Sequence, residues 1–256
     1  MQHLFSPDGE AALAALLRRQ PLMAFDFDGT LAPIVARPGD ARIPKAVQTC
    51  LRALAQRLPV AIVTGRSVAD VRDRLGFEPR FVIGNHGAED ELDTAGSAAR
   101  SQALDGLRQT LQAGAAELAA AGVSVEDKGP SIALHYRLSR EPGRALALID
   151  TLLRPSQDAL HIFAGKKVVN ALAADAPDKA QAMLTLVERC GAAAAFFAGD
   201  DVNDEPVFAA APAHWLTLRI GRPDRNSRAR FYLDSTREMA LLLERVLALH
   251  AVQQGA

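Results

Sequence analysis

Two aspartates separated by one residue, Asp26 and Asp28, lie at the end of the apolar run 22–27. Such a run predicts a buried strand, and Gly29 ends it in a loop. Side chains at i and i+2 of a strand point to the same face, so the two carboxylates should emerge together. Paired carboxylates suit a hard cation such as Mg²⁺, or a nucleophile working with a general acid–base. A polar strand end with a turn at Asp28 and Gly29 is the purely structural alternative.

A second segment, Thr64-Gly65-Arg66-Ser67, follows another apolar run at 59–63. A hydroxyl, a permissive glycine and the free N–H groups of a helix start together make an anion-binding site. A strand–helix turn capped by Ser or Thr would have the same sequence. The segment therefore indicates a phosphate site only in combination with others.

Four acidic residues, Asp200, Asp201, Asp204 and Glu205, follow the apolar run 194–198. Acids at this density repel one another unless they cap a helix or hold a cation. Asp204 and Glu205 are placed to cap or charge the first turn of the next helix. Asp200 and Asp201, directly at the strand end, are better explained by a metal ion.

Lys179 opens a predicted helix at 178–190, where a cation opposes the helix dipole. A lysine there usually extends into solvent, but an acidic, phosphate-binding site gives it a reason to point inward as a point charge for phosphate. The four segments together predict phosphoryl transfer with Mg²⁺ held between the acidic loops. In this hypothesis Thr64, backbone amides and Lys179 bind phosphate, Asp26 attacks phosphorus, and Asp28 transfers the proton.

Alternating strands and helices must position these segments. Short apolar strands separated by helices, up to about residue 83 and again from about 178, predict a parallel sheet covered on both faces. Between them, a long Ala/Leu-rich helix at 101–120 and several short strands indicate a small α+β sheet. We therefore expect an α/β fold with a Rossmann-like parallel-sheet core at 1–92 and 177–256, interrupted by an inserted α+β cap at 93–176.

Composition narrows the class of protein. The 256 residues are 49% hydrophobic and 23% charged, and the net charge is −1, which argues against a nucleic-acid partner. No apolar run approaches the ~20 residues of a membrane span, and the first residues do not resemble a signal peptide. Cys50 and Cys190 are expected to be free. These features predict a cytoplasmic protein with a small-molecule substrate, no nucleic acid and no membrane.

The four segments, in this order, resemble the haloacid dehalogenase superfamily of phosphatases, and the insertion between the second and third resembles its C2-type α+β cap. The resemblance implies that Asp26 is the nucleophile and Asp28 the acid–base. It further implies a set of phosphate-binding residues: Asp28, Thr64, Gly65, Arg66 and Lys179. The implied metal ligands are the Asp26 carboxylate, the Asp28 backbone carbonyl and Asp200, with Asp201 and Asp204 as further candidates.

Within that superfamily the sequence is most similar to the trehalose-6-phosphate phosphatases. The segments that carry this closer similarity are 28–34, 84–89, 126–137, 165–169 and 199–205. The similarity implies a set of sugar-binding residues with many donors and acceptors: Asn85, His86, Gly87, Glu126, Lys128, His135, Arg137, Lys166 and Asn170. Those in the insertion could instead be solvated charges of edge strands.

Three residues depart from the family pattern: Asn170 replaces a glutamate that binds sugar hydroxyls, Ala180 replaces the glycine after the lysine, and Asn203 replaces a threonine.

The predicted function is Mg²⁺-dependent hydrolysis of trehalose 6-phosphate, with functional pairing to a trehalose-6-phosphate synthase. The alternatives are a phosphatase for another sugar phosphate (sucrose 6-phosphate or mannosyl-phosphoglycerate), a phosphomutase, or a non-catalytic sugar-phosphate sensor or synthase partner.

Overall fold

The computed structural model describes residues 1–165 and 167–254, so the predicted sugar-binding residue Lys166 lies outside the described residues. The chain forms two compact units. The first contains Met1–Gly87 and the residues from Asp178 onward, and the second contains Ala88–Pro177. The assignment of the second unit as a cap stays a prediction.

A parallel sheet runs through the first unit. Its strands are β1 (Gln2–His3), β2 (Leu22–Phe25), β3 (Val60–Val63), β4 (Phe81–Gly84), β10 (Ala195–Gly199), β11 (Leu216–Ile220) and β12 (Phe231–Leu233). They lie in the order β1-β12-β11-β10-β2-β3-β4, with every neighbouring pair parallel. The loops after β2, β3 and β10 therefore meet at one edge, the carboxyl edge, where open α/β sheets bind ligands.

Helices cover both faces of this sheet: α1 (Pro7–Leu17), α2 (Lys45–Ala55), α3 (Val68–Leu75), α8 (Lys179–Cys190), α9 (Glu205–Ala210) and α10 (Met239–Gln254). Side chains of a strand alternate between the faces. Met23 and Phe25 accordingly join one buried cluster, whereas Leu22 and Ala24 join the other. This double burial explains why the strands are continuous apolar runs, and it confirms the predicted α/β class.

The second unit contains an antiparallel sheet in the order β6-β7-β9-β8. Its strands are β6 (Ser124–Asp127), β7 (Ser131–His135), β8 (Leu160–Gly165) and β9 (Val168–Ala173), and a two-residue strand β5 (Glu89–Asp90) precedes them. Its helices are α4 (Thr94–Gln102), α5 (Asp105–Ala113), α6 (Ala115–Ala120) and α7 (Pro142–Leu153). Ile132, Leu134, Val169 and Ala171 belong to the same buried cluster as apolar side chains of α5, α6 and α7.

The single long helix predicted at 101–120 is wrong, because three helices, α4, α5 and α6, occupy this region. Gly114 separates α5 from α6, and glycine disfavours a helix interior. The short strands β1 and β12 were not predicted from the sequence. Among the described residues, no helix has both the length and the apolar composition required to span a bilayer.

Candidate active site

A buried ion-pair cluster lies at the carboxyl edge of the parallel sheet. Asp26 follows β2 directly, and its backbone N–H donates to Ala198 of β10 at 2.9 Å. Lys179 is the first residue of α8, whose N-cap Asp178 forms a capping box with Gln181. The Lys179 Nζ donates to Asp204 Oδ1 at 2.7 Å and lies 3.2 Å from Asp26 Oδ1. The lysine therefore points inward, as predicted.

The cluster strongly perturbs its own protonation. Burial raises the pKa of the Asp26 carboxyl; Lys179 lowers that pKa, but Asp204 and Asp200 raise it again, so the net direction is upward. Burial alone would lower the pKa of the Lys179 ammonium, but Asp204 and Asp26 outweigh burial and raise it. Lys179 is therefore a permanent cation, and one more positive charge near Asp26 would favour the carboxylate form.

The acidic loop after β10 is organised around Asp204. Its Oδ2 accepts the backbone N–H groups of Asp200 (2.9 Å) and Asp201 (3.0 Å), and its side chain is fully buried. The Asp201 carboxylate accepts from the backbone N–H of Val202. Asp204 thus shapes the loop as well as pairing with Lys179. From the sequence, only helix capping or metal binding was predicted for Asp204.

The residues present fit a divalent cation. Carboxylate oxygens of Asp26, Asp200 and Asp204 all lie within 4.8 Å of one another. Gly29, with a φ of +78°, brings the two acidic loops into contact, because a Cβ there would lie 2.2 Å from Asp200 Oδ2. Oxygen ligands clustered in this way are those that hard cations prefer. The arrangement can hold a divalent metal between the loops.

Asp28 is held by a guanidinium fork. Arg66 Nε donates to Asp28 Oδ2 at 2.6 Å and Arg66 Nη2 to Asp28 Oδ1 at 2.7 Å, while Arg66 Nη1 donates to Asp70 Oδ2 at 2.6 Å. Arg74 also donates to both oxygens of Asp70, and these hydrogen bonds lower the pKa of Asp70 to about 2. Whether Arg66 binds phosphate stays a prediction; in this structure its guanidinium contacts Asp28, Asp70 and the Pro38 carbonyl.

The loops after β3 and β4 lie together. The Asn85 N–H donates to the Arg66 carbonyl at 2.8 Å, and the His86 N–H donates to the Thr64 carbonyl at 2.9 Å. Gly65 is required for this approach, since a Cβ there would lie 2.3 Å from the His86 ring. Thr64 is buried, and its Oγ1 accepts from the Arg66 N–H at 3.3 Å. The predicted phosphate segment and the segment at 85–87 are therefore neighbours.

In the second unit, three predicted sugar-binding residues lie together. His135 Nε2 donates to Glu126 Oε2 at 2.8 Å, and Lys128 Nζ lies 3.8 Å from the same oxygen. The strand register pairs Ala133 with Glu126 on one side and Asn170 on the other. Directly paired residues share a face of a sheet, so Glu126 and Asn170 flank a small alanine on the face opposite the apolar cluster.

Arg137 is not part of this group. It lies in the turn after β7 with its side chain exposed.

Two residues in or near the loops that carry Asp28 and Arg66 were not predicted from the sequence as part of the site. Asp70 orients Arg66, and its only sequence signal was an acid in the first turn of α3. Thr30 has a fully buried hydroxyl with no hydrogen-bond partner among the residues that the structure describes.

Comparison with known proteins finds relatives that match most of this chain but only part of their own length. The chain is 34% identical over 238 residues to an uncharacterized glycosyl hydrolase of Mycobacterium tuberculosis, covering 86% of this chain but 18% of that protein. It is 31% identical over 258 residues to trehalose-phosphate phosphatase of Mycobacterium bovis, covering 94% of this chain and 65% of that protein. The chain thus spans about a fifth and about two thirds of these two relatives.

Solved structures share the fold. A trehalose-6-phosphate phosphatase related protein superposes with a TM-score of 0.76 at 23% identity, covering 91% of this chain and 99% of the other. The C-terminal domain of Candida albicans trehalose-6-phosphate phosphatase gives a TM-score of 0.72 at 19% identity, with coverages of 94% and 96%. The sequence pattern that defines the trehalose-phosphatase family matches residues 24–233. The chain therefore belongs to the trehalose-phosphatase family.

Proposed function

We propose that the protein hydrolyses trehalose 6-phosphate to trehalose and phosphate through an aspartyl-phosphate on Asp26. The observation that carries the proposal is the buried Asp26 carboxylate, 3.2 Å from Lys179 and within 4.8 Å of Asp200 and Asp204 oxygens. Family membership supports the substrate, as does the name of the M. bovis relative. In this hypothesis the first unit performs the chemistry and the second is a cap that binds the sugar.

We propose Mg²⁺ as the cation, held by the Asp26 carboxylate, the Asp28 carbonyl and Asp200, with Asp204 and Asp201 shaping the loop. When bound, the cation offsets charge on the transferring phosphoryl group. Lys179 provides a fixed positive charge beside Asp26, and Thr64 with the amides of Gly65 and Arg66 would bind phosphate oxygens.

The residues of the chain account for two displacements. An oxygen of Asp26 attacks phosphorus, the bond from phosphorus to the sugar oxygen breaks, and the Asp28 carboxyl gives its proton to that oxygen. Asp28, now a carboxylate, takes a proton from water as the water oxygen attacks phosphorus. The bond to Asp26 then breaks, which releases phosphate and restores both carboxyl groups. Division into two steps lowers the barrier of each.

We propose that the second unit determines which sugar phosphate is bound. Glu126, His135 and Asn170 lie on one face of its sheet, with Ala133 between two of them. These donors and acceptors suit sugar hydroxyls, and Arg137 and Lys166 are proposed to add to them. Asparagine at position 170 is a weaker acceptor than the glutamate usual in the family. This difference favours a second candidate function, hydrolysis of another sugar phosphate by the same site.

A free-phosphate assay over a substrate panel tests the proposal. With Mg²⁺, we expect kcat/KM for trehalose 6-phosphate to exceed that for sucrose 6-phosphate, mannosyl-phosphoglycerate and glucose 6-phosphate by at least about 100-fold. Chelation with EDTA should abolish turnover, and Mg²⁺ should restore it. A higher rate with another sugar phosphate would favour the second candidate. Binding without phosphate release would indicate a sensor, and conversion to a phosphorylated isomer would indicate a mutase.

A cytoplasmic location and functional pairing with a trehalose-6-phosphate synthase are further proposals. Both come from the sequence and the family resemblance. Copurification of the two activities from the native source would support the pairing, and their independent elution would contradict it.

A further inference from the structure

The connection between β11 and β12 carries four exposed arginines. Arg230 donates to the Ala213 and Trp215 carbonyls, and we call the other three, Arg222, Arg225 and Arg228, the arginine loop. In the part of the chain that the structure describes, their guanidinium groups have neither an ion-pair nor a hydrogen-bond partner. The carboxylate of Asp224 lies in the same connection, where it accepts the backbone N–H of Asn226 at 2.9 Å. The loop therefore presents a net positive charge to solvent.

One contact attaches this loop to the acidic loop of the candidate active site, and a residue of β11, just before the loop, adds a second contact to the same glutamate. The Arg228 backbone N–H donates to Glu205 Oε2 at 2.9 Å, and Arg219 Nη1 donates to Glu205 Oε1 at 3.0 Å. Glu205 directly follows Asp204, which pairs with Lys179. Since β11 is parallel to β10, its connection also begins at the carboxyl edge. The arginine loop thus lies beside the catalytic loops.

The catalytic loops by themselves are electrostatically unfavourable for an anionic substrate. They carry six carboxyl groups: Asp26, Asp28, Asp200, Asp201, Asp204 and Glu205. Their cations are already bound to carboxylates, Lys179 to Asp26 and Asp204, Arg66 to Asp28 and Asp70, and Arg219 to Glu205. A divalent cation offsets only part of this charge. A phosphate monoester dianion therefore approaches a region with an excess of acids.

We propose that the arginine loop attracts phosphate monoester dianions to this edge of the sheet, raising their local concentration without contacting the reacting atoms. The inference rests on the proposed function for the reaction that follows. Unpaired surface charges beside a site act over a distance and are screened by salt. The role of the loop should therefore appear in kcat/KM at low ionic strength, and it should leave kcat unchanged.

The test compares the wild type with the triple variant R222Q/R225Q/R228Q and the charge-reversed variant R222E/R225E/R228E. We expect the first to lower kcat/KM for trehalose 6-phosphate by on the order of tenfold at about 0.01 M ionic strength, where the Debye length is about 30 Å. The charge-reversed variant changes the charge of the loop by twice as much, so we expect its decrease in the logarithm of kcat/KM to be about twice as large. Near 1 M salt, where the Debye length is about 3 Å, the three proteins should converge.

A matched control carries the same loss of charge at the opposite edge of the sheet. Arg18, Arg19 and Arg57 are exposed and lie just before β2 and β3. The variant R18Q/R19Q/R57Q should change kcat/KM by less than about twofold at low salt. An equal loss in this control would show an effect of net charge alone and would overturn the proposal, as would a salt dependence unchanged in the loop variants.

A binding measurement separates this inference from the proposed function. Inorganic phosphate, which needs no turnover, is titrated into the same proteins by calorimetry over the same salt series. Weaker binding in the loop variants at low salt, with convergence at high salt, supports the loop even if the wild type releases no phosphate from trehalose 6-phosphate. Phosphate binding that is equal in wild type and loop variants at every salt concentration would contradict the inference, even with the proposed reaction intact.

Discussion

The two units differ in how far the ion pairs at their predicted sites are exposed to solvent. In the first, Asp26, Lys179 and Asp204 are 6%, 3% and 0% exposed, and each has a charged partner in the same cluster. In the second, the side chains of Glu126 and His135 are 52% and 37% exposed. They pair across an edge strand, β6, whose four residues are all exposed.

We infer that this difference separates the proposed chemistry from the proposed recognition of the sugar. Buried charges are costly to remove from water, but they are fixed in place and act strongly in a low dielectric. Exposed pairs contribute little to stability and can exchange partners for a ligand at small cost. Substitutions in the first unit should therefore affect turnover of every phosphate ester. Substitutions on the polar face of the second should affect only esters that carry the sugar.

The largest expected effect is from Asp26→Asn, which removes the proposed nucleophile while keeping the shape of the side chain. We expect kcat to fall on the order of 10⁴-fold for trehalose 6-phosphate and for an aryl phosphate alike. Lys179 keeps Asp204 as a partner and the excess of buried acids falls, so the thermal midpoint should not decrease. The matched control is Asp73→Asn, an exposed aspartate on α3. Full activity of Asp26→Asn would refute the aspartyl-phosphate mechanism.

Substitutions of Arg66 test whether a residue of the first unit can affect kcat without affecting substrate binding. Arg66→Gln removes both hydrogen bonds to Asp28, so we expect kcat to fall about 100-fold on both substrates, the size of a general acid–base contribution. Arg66→Lys should recover a small part, because lysine cannot form the fork. Arg74→Gln, which leaves the bonds to Asp28 intact, serves as the control.

Kinetic constants of Arg66→Gln distinguish between two roles for Arg66, positioning of Asp28 and binding of phosphate. A positioning role leaves KM and the inhibition constant of inorganic phosphate nearly unchanged. If Arg66 instead binds phosphate, as the sequence predicted, both constants should rise together with the loss of kcat. Steady-state kinetics with inorganic phosphate as a competitive inhibitor measures both.

Substitutions on the polar face of the second unit should affect binding of the sugar and not the reaction of the phosphate. Glu126→Gln and His135→Asn should each raise KM for trehalose 6-phosphate about 10-fold, the scale of a charge-assisted hydrogen bond. KM for an aryl phosphate should change less than about twofold. Glu141→Gln, an exposed glutamate at the N-cap of α7, is the matched control. Equal effects on the two substrates would remove the distinction between the units.

The sequence predicted most of the first unit because its signals are local or follow from sheet topology. Apolar runs followed by Asp26 and by Asp200 predict parallel strands, and parallel strands bring their carboxyl ends together. The bidentate hydrogen bonds between Arg66 and Asp28, in contrast, join side chains that are 38 positions apart in the sequence. Sequence spacing alone cannot fix such a contact. Asp70, which completes the network, looked like an ordinary first-turn acid.

The second unit was less predictable for a different reason. The pairing of Glu126 with His135 depends on the register of β6 against β7, and a slip of one residue would move either side chain to the other face. Helix breaks in an alanine-rich region are also weakly encoded, since alanine favours helix everywhere. Gly114 was a clear local signal, whereas neither residue between α4 and α5, Ala103 or Leu104, is a glycine or proline.

The smallest expected effect concerns Asp70, whose pKa is lowered to about 2 chiefly by hydrogen bonds from Arg74 and Arg66, against the opposing effect of burial. A carboxyl whose pKa is lower in the folded state stabilises the fold above its unfolded pKa of about 3.8. That contribution is lost as the pH falls toward 2. Because Asp70 is 37% exposed, solvent screening limits the effect, and we expect Asp70→Asn to lower the free energy of unfolding at pH 7 by about 1 kcal/mol.

Urea unfolding at pH 7, 5, 4 and 3 measures this contribution. The difference between wild type and Asp70→Asn should be constant from pH 7 to about 5 and should shrink below pH 4. Asp73→Asn, on the same helix, should show no such pH-dependent difference. Asp70→Asn should also lower kcat less than Arg66→Gln does, because Arg66 keeps both bonds to Asp28. A loss of kcat equal to that of Arg66→Gln would mean that Asp70, and not the fork alone, determines the position of Asp28.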